Sequence, residues 1–214
     1  MVGRSGAVNM ATDEALLDRV LRSGGAFLRL YRWDPPTLSI GRNQRIGPVE
    51  RALPIVRRPT GGKAVWHEHE VTYAVAAPIA LYGSLREAYC QIHTRIATAL
   101  RSLGVAAGLA PYRPTVRPSD GPTSCFAQPV GGEILVQGRK LVGSAQMRRQ
   151  DAFLQHGSIL LAGSQRAVGA RTTETTLAAV LGRAVTFAET ANAIVANWGE
   201  SLTPSGAVAS HAPG

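Results

Sequence analysis

Cys125 and Lys140 share the stretch "SCFAQPVGGEILVQGRKLVGSA", residues 124–145, and a thiol near a primary amine is a pairing that can do nucleophilic chemistry. A nearby cation lowers a cysteine's pKa toward the reactive thiolate. The apolar run before Gly138 reads as one arm of a hairpin, with Gly138 leading a two-residue turn of the type II′ kind, so the lysine would return toward the cysteine. Gly143, Ser144 and Ala145 follow it and are small enough to leave room for a substrate beside a strand. A free cysteine is also often an inert, buried small hydrophobe. Spacing alone leaves both readings open.

A second segment, "RRPTGGKAVWHEHE", sets Gly61 and Gly62 between two strand-like runs, where backbone can approach a ligand closely. Arg57, Arg58 and Lys63 around it would attract a carboxylate, a phosphate or an acyl carbonyl. The same pattern also describes a glycine turn with exposed basic residues. His67 and His69 read as lying on one side of a strand, but a metal would need a third ligand supplied by the fold, so no metal site is expected. His156, in "LQHGSILL", sits among apolar residues and by itself reads as a satisfied core histidine. Arg42, Asn43 and Gln44 follow a strand-ending glycine and read equally well as surface polar residues.

The chain around these segments has 214 residues, 45% of them hydrophobic, enough for one globular unit with a substantial core. Residues 1–202 are expected to form a single catalytic domain and residues 203–214 a disordered tail. No apolar run approaches the roughly 18 residues that a membrane span requires. Acidic residues stand where a secretory leader would be apolar, so a cytoplasmic protein is expected. The two cysteines have neither metal-ligand nor paired-redox spacing and are expected as free thiols. A net charge of +9 calls for an anionic partner. The basic residues are dispersed, without the blocks and aromatic interleaving of a nucleic-acid binder. An acidic carrier protein would satisfy the same charge, and composition alone does not choose between the two.

These residues need elements to position them. Asn9 reads as the N-cap of an amphipathic helix, "ATDEALLDRVLRSGG", with Asp13 and Glu14 favouring its positive end and Gly24-Gly25 stopping it. "AFLRLYRW" and "TLSIG" alternate like strands across the turn "DPP", and "PIVRR", "AVW", "VTYAVAA" and "FLQHGSILL" read as further strands. Leu85, Ala88, Ile92, Ile96, Ala99 and Leu103 share a helical face that Gly104 ends. Thr186 and Glu189 form a capping-box pattern opening a last helix with Ile194, Val195, Trp198 and Leu202. Strands in the middle with helices at start, centre and end predict an α+β fold, a mixed sheet with helices on one side.

In order and spacing, "NMATDEALL", "LRLYRWDPPTLSIGRNQ", "RRPTGGKAVWHEHEVTYAV" and "GRKLVGSAQMRRQDAFLQHGSILL" resemble the biotin/lipoate protein ligase superfamily, on its lipoate side. The resemblance covers most of residues 9–200. It implies a class II synthetase-like catalytic domain, a mixed sheet flanked by helices with a groove for a medium-chain acyl group. The glycine segment would wrap the acyl site through Arg58, Thr60, Gly61, Gly62, Lys63 and His67. Lys140 would hold the acyl carbonyl with Gly143, Ser144 and Ala145 beside it, and Tyr31 and His156 would complete the substrate-binding set.

Within that superfamily, ATP-using ligases carry an Asn-Asp pair just before the hairpin. Gly132 and Glu133 stand there instead. Cys125-Phe126 with Pro129 and Glu133 is similar to the segment whose cysteine forms the acyl thioester in LipM-type octanoyltransferases. Ala127 departs from that pattern at an acidic position, and Gly131 and Gly132 depart from it where an aromatic pair is usual. The resemblance therefore implies an octanoyltransferase without a cofactor, with Cys125 as nucleophile. Its donor would be octanoyl-acyl carrier protein. Its acceptors would be apo lipoyl domains such as the glycine cleavage H protein or 2-oxoacid dehydrogenase acyltransferase subunits. A monomer with no nucleic-acid or membrane partner is expected. An ATP-dependent lipoate ligase and an amidotransferase moving octanoate between lipoyl domains are the enzymatic alternatives, and a nucleic-acid-binding module is a remote one.

Overall fold

The computed structural model describes residues 3–45, 54–111, 131–168, 173–199 and 203–204. Helix α1 (Gly6–Ser23) opens on Ser5, whose Oγ accepts the Val8 N–H, and closes on Gly24 in the left-handed conformation. Asn9 is therefore not the N-cap. Its amide lies inside the helix, buried, donating to the carbonyls of Arg4 and Arg32 at 3.0 Å each. Asp13 is also withdrawn from the helix end and completely buried.

The central sheet has the order β11-β1-β5-β10-β9. It comprises β1 (Phe27–Tyr31), β5 (Glu70–Pro78), β9 (Val142–Arg149), β10 (Ala152–Leu160) and the short β11 (Thr203–Pro204). Its inner pairings are antiparallel, and β11 joins β1 in parallel. Alternation along β1 and β5 sends Phe27, Tyr31, Ala74 and Ala76 toward Met10, Leu17 and Val20 of α1. Leu28, Leu30, Tyr73, Val75 and Ala77 point to the opposite core, shared with α2 (Leu85–Ser102) and α4 (Phe187–Ala196). Helices thus cover both faces, where the sequence order suggested one. The reason is visible in "VTYAVAA": a strand apolar on both sides needs cover on both sides.

A smaller sheet sets β2 (Thr37–Ile40) between β3 (Ile55–Arg57) and β4 (Val65–His67). A third joins β6 (Gly108–Leu109), β7 (Ile134–Val136) and β8 (Arg139–Lys140). The turn between β7 and β8 consists of Gln137 and Gly138, both with positive φ, at 50° and 74°. That is the type I′ pattern, in which Gly138 comes second, rather than the II′ turn it was expected to lead. α2 buries Ala88, Ile92, Ile96 and Ala99 as expected, and with them His93. Thr186 caps α4 by accepting the Glu189 N–H, while the Glu189 carboxylate turns to Arg183. Ile194 and Trp198 are buried, whereas Val195 is exposed. Between α2 and α4 in the chain, α3 (Leu177–Leu181) is capped by Thr176. No helix among the described residues is long and apolar enough to cross a membrane.

Candidate active site

Where β2 and β4 meet β9 and β10 lies a cleft of about 330 Å³, part of it open to solvent. Tyr31, Arg58, His67, Gly143, Ser144, Ala145 and His156, all expected at a substrate site, line it. Met10, Trp33 and Val65 give it apolar surface, and Ser39, Thr72 and Ser158 add hydroxyls. Gly157 keeps the floor open. A Cβ there would lie 2.3 Å from Ser144 Oγ and 2.8 Å from the Tyr73 ring.

The glycine loop is fastened by an arginine. Arg58 donates from Nε and Nη2 to the Gly61 carbonyl, from Nη2 to Lys63 O at 2.6 Å, and from Nη1 to Ser39 O and Oγ. Gly41 permits this fit, because a Cβ on it would stand 1.9 Å from Gly62 O. Gly62 in turn adopts φ 88°, which glycine reaches without strain. Among the described residues, Thr60, Gly61, Gly62 and Lys63 do not line the cleft. Thr60 is buried against His156 Nε2, and the others follow it in the loop that Arg58 holds.

Three buried imidazoles surround the cleft, each with Nδ1 on an acceptor and Nε2 on a hydroxyl. His156 Nδ1 faces Asp13 Oδ2 at 3.1 Å and its Nε2 meets Thr60 Oγ1 at 2.7 Å. His67 Nδ1 faces Glu70 Oε1 at 2.7 Å and its Nε2 meets Ser39 Oγ at 2.7 Å. His93 Nδ1 faces the Gly132 carbonyl at 2.7 Å, and its Nε2 lies 2.8 Å from Ser144 Oγ and 3.0 Å from the Tyr73 hydroxyl. An acceptor at Nδ1 assigns a proton to that nitrogen, so wherever the ring is neutral Nε2 accepts from the hydroxyl. Burial lowers the pKa of His156, with Asp13 opposing the shift. Burial lowers His93 to about 4, partly offset by the Gly132 carbonyl and reinforced by Lys140. Both rings are therefore neutral near pH 7. Burial likewise pushes the Tyr73 phenol up, keeping it a hydrogen-bonding hydroxyl.

Asp13 is a hub. It accepts from Arg29 at 2.5 Å, from Tyr31 at 2.8 Å and from His156, while Arg29 also reaches Asn9 Oδ1. Glu70 plays a similar part under His67, accepting from Thr72 and Ser158, and Trp33 stacks on His67 with centroids 3.9 Å apart. Neither carboxylate was anticipated, nor was His93. The legible signal was a polar residue inside an apolar stripe: Met10, Asp13, Leu17 and Val20 share one face of α1. His67 and His69 do not share a face as expected. β4 ends at His67, so alternation stops there, and His69 is exposed beside Glu68.

Lys140 is fully buried, its Nζ 2.6 Å from Glu133 Oε1. It does not line the cleft, but Gly143, Ser144 and Ala145, which do, follow it closely in the chain. Cys125 lies outside the described residues. Cys90, on α2, is an exposed free thiol.

A family model described as the lipoyl protein ligase A/B catalytic domain matches residues 5–198. The chain belongs to this family. It is 42% identical to the octanoyltransferase LipM of Carboxydothermus hydrogenoformans, over 73% of this chain and 61% of that one. It is 45% identical to LipM of Kyrpidia tusciae, over 73% and 62% of the two chains. With LipM of Symbiobacterium thermophilum the identity is 36%, over 93% and 83%. The chain thus spans about three fifths of the length of the first two relatives. Among solved structures it resembles a lipoate-protein ligase A bound with ATP, with a TM-score of 0.72, 20% identity, and 96% and 86% of the chains covered. It also resembles a bi-partite lipoate protein ligase from Thermoplasma acidophilum, with a TM-score of 0.64, 18% identity, and 96% and 84% covered. These structures share the lipoyl protein ligase fold with this chain.

Proposed function

We propose that the protein is an octanoyltransferase that acts in the cytoplasm, as a monomer and without a cofactor. It takes octanoate from octanoyl-acyl carrier protein and delivers it to the lysine of an apo lipoyl domain. The observation that carries this reading over ATP-dependent ligation is the fate of Gly132 and Glu133, where ligases would place their nucleotide-holding Asn-Asp pair. The Gly132 carbonyl is taken by His93 and the Glu133 carboxylate by Lys140. Identity of 40–45% to octanoyltransferases over most of this chain points the same way.

In the first step the Cys125 thiolate attacks the donor's thioester carbonyl. The tetrahedral intermediate expels the carrier thiolate, which takes up a proton, and Cys125 holds the octanoyl group as a thioester. The neutral amine of the acceptor lysine then attacks the same carbonyl. It loses a proton and expels the Cys125 thiolate, leaving an amide. The cleft would take the acyl chain, and Lys140, buried on Glu133 just before the strand that lines it, would turn from that carboxylate to donate to the developing oxyanion. One such donor is typically worth about 2.7–4 kcal/mol, or roughly 100- to 1,000-fold in rate.

The test is incubation with octanoyl-acyl carrier protein and an apo lipoyl domain, without ATP, followed by intact-mass measurement. Octanoyl adducts are expected on the wild-type enzyme and on the acceptor. Cys125→Ala should lose both, Cys90→Ala should keep both, and Lys140→Ala should slow transfer roughly 100- to 1,000-fold. Transfer by Cys125→Ala, or a requirement for ATP and free acid, would overturn the reading.

A further inference from the structure

Beside the acyl cleft runs a second, larger groove of about 860 Å³, open to solvent and lined by Arg42, Arg57, Arg58, Arg148, Arg149 and Glu14 among others. Arg58 lines both spaces. Strand β9 runs from one to the other: Gly143 and Ala145 are in the cleft, Met147 and Arg149 in the groove, on alternate residues of one strand face. Ala145 and Arg149 are therefore about 13 Å apart along the strand.

The groove has donors to spare. Arg57 is clamped by three bonds, to the carbonyls of Gly41, Arg42 and Gln44, all from Nη1, so its Nε and Nη2 have no partner among the described residues. Among the described residues Arg148 uses only Nε, toward Gln150 O, and the Arg42 guanidinium has no protein acceptor. Arg149 is partly neutralised by Asp18 at 2.5 Å. A fixed guanidinium with exposed ones around it suits a phosphate oxyanion, which accepts paired N–H bonds.

We propose that this groove is an anion subsite for the phosphate on the arm through which the donor presents its acyl thioester. The inference rests on the acyltransferase reading above. An acyl carrier holds its thioester at the end of a phosphate-linked pantetheine arm, so acyl group in the cleft and phosphate at the arginines fit a single extended ligand.

The experiment compares kcat/KM for octanoyl-phosphopantetheine and octanoyl-pantetheine in the wild type and in Arg42→Ala/Arg148→Ala, with octanoyl-acyl carrier protein as a third donor. The wild type should prefer the phosphorylated small donor by about tenfold, the scale of one charge-assisted hydrogen bond at a part-exposed site. The double variant should bring that ratio toward one and slow the carrier-borne donor. A wild-type ratio near one, or a ratio unchanged in the variant, overturns the proposal. So does a loss confined to the carrier-borne donor, which would move the recognised charge to the carrier's protein surface. If no donor is turned over, the acyltransferase reading fails, and calorimetry with phosphopantetheine against pantetheine still decides the subsite. Binding of the phosphorylated compound alone, abolished in the variant, supports it; equal binding or none overturns it.

Discussion

His156 lines the cleft itself and His93 backs its Ser144 wall, and what lies behind each ring separates them. Behind His156 is a carboxylate, Asp13, which also holds Arg29 and Tyr31; in front is Thr60, completely buried. Behind His93 is only the Gly132 carbonyl; in front is Ser144, part-exposed and lining the cleft. A carboxylate can balance a cation in a dry site, whereas a carbonyl offers a dipole. The His156 wall is therefore an ion-paired hub that holds α1 to the central sheet. The His93 wall is a neutral network that orients one hydroxyl of the cleft lining.

The comparison can be broken at its strongest point. Asp13→Ala should cost about 3–5 kcal/mol in urea unfolding, because it strands the Arg29 charge in the interior. A loss below about 1 kcal/mol would mean that Asp13 is no hub.

The His93 wall predicts a pH effect. Its folded pKa, about 4, lies below the ordinary value of 6.5. The unfolded chain therefore binds a proton through this window while the folded chain does not. The contribution is fully present above pH 6.5 and is lost as pH falls toward 4. Between pH 7 and pH 5 the protein should lose about 2 kcal/mol through this group. His156, lowered for the same reason, adds to the same slope. Unfolding at the two pH values should show a shallower slope for His93→Gln, and an unchanged slope would contradict the buried neutral ring.

The smallest effects sharpen the contrast between the two hydroxyls. Ser144→Ala and Thr60→Val should each cost about 1 kcal/mol of stability. Only Ser144→Ala should alter the kinetics of acyl transfer directly, by about tenfold in kcat/KM, because only Ser144 lines the cleft. Equal kinetic losses in the two variants would erase the distinction.

Much of this site could be read before folding. Gly143, Ser144 and Ala145 are consecutive, and Arg58, Gly61 and Gly62 belong to one segment, so their association needed only a strand and a turn. The residues that hold the site from behind were hidden. Asp13 reaches His156 across 143 positions, and Ser144 reaches His93 across 51. Asp13 and His93 each sit on the apolar face of a helix, where pattern reading assigns core packing rather than a polar partner. The local misreadings have similar causes. Ser5 took the cap because Asn9 was drawn into bonds with Arg4 and Arg32, and His69 left the strand because the chain turned at Glu68.

The sequence by itself determined the family, the strand and helix inventory, and the segments that meet at the cleft, because these depend on side-chain periodicity and on motifs of neighbouring residues. Tertiary structure decided which atoms are spent. It bonded Glu133 to Lys140, gave Arg58 to the glycine loop, chose the hydrogen-bond partners of three imidazoles, and set guanidinium nitrogens with no partner among the described residues in a groove beside the cleft. Hydrogen bonds and burial are properties of pairs brought together by the fold, and no spacing along the chain specifies them.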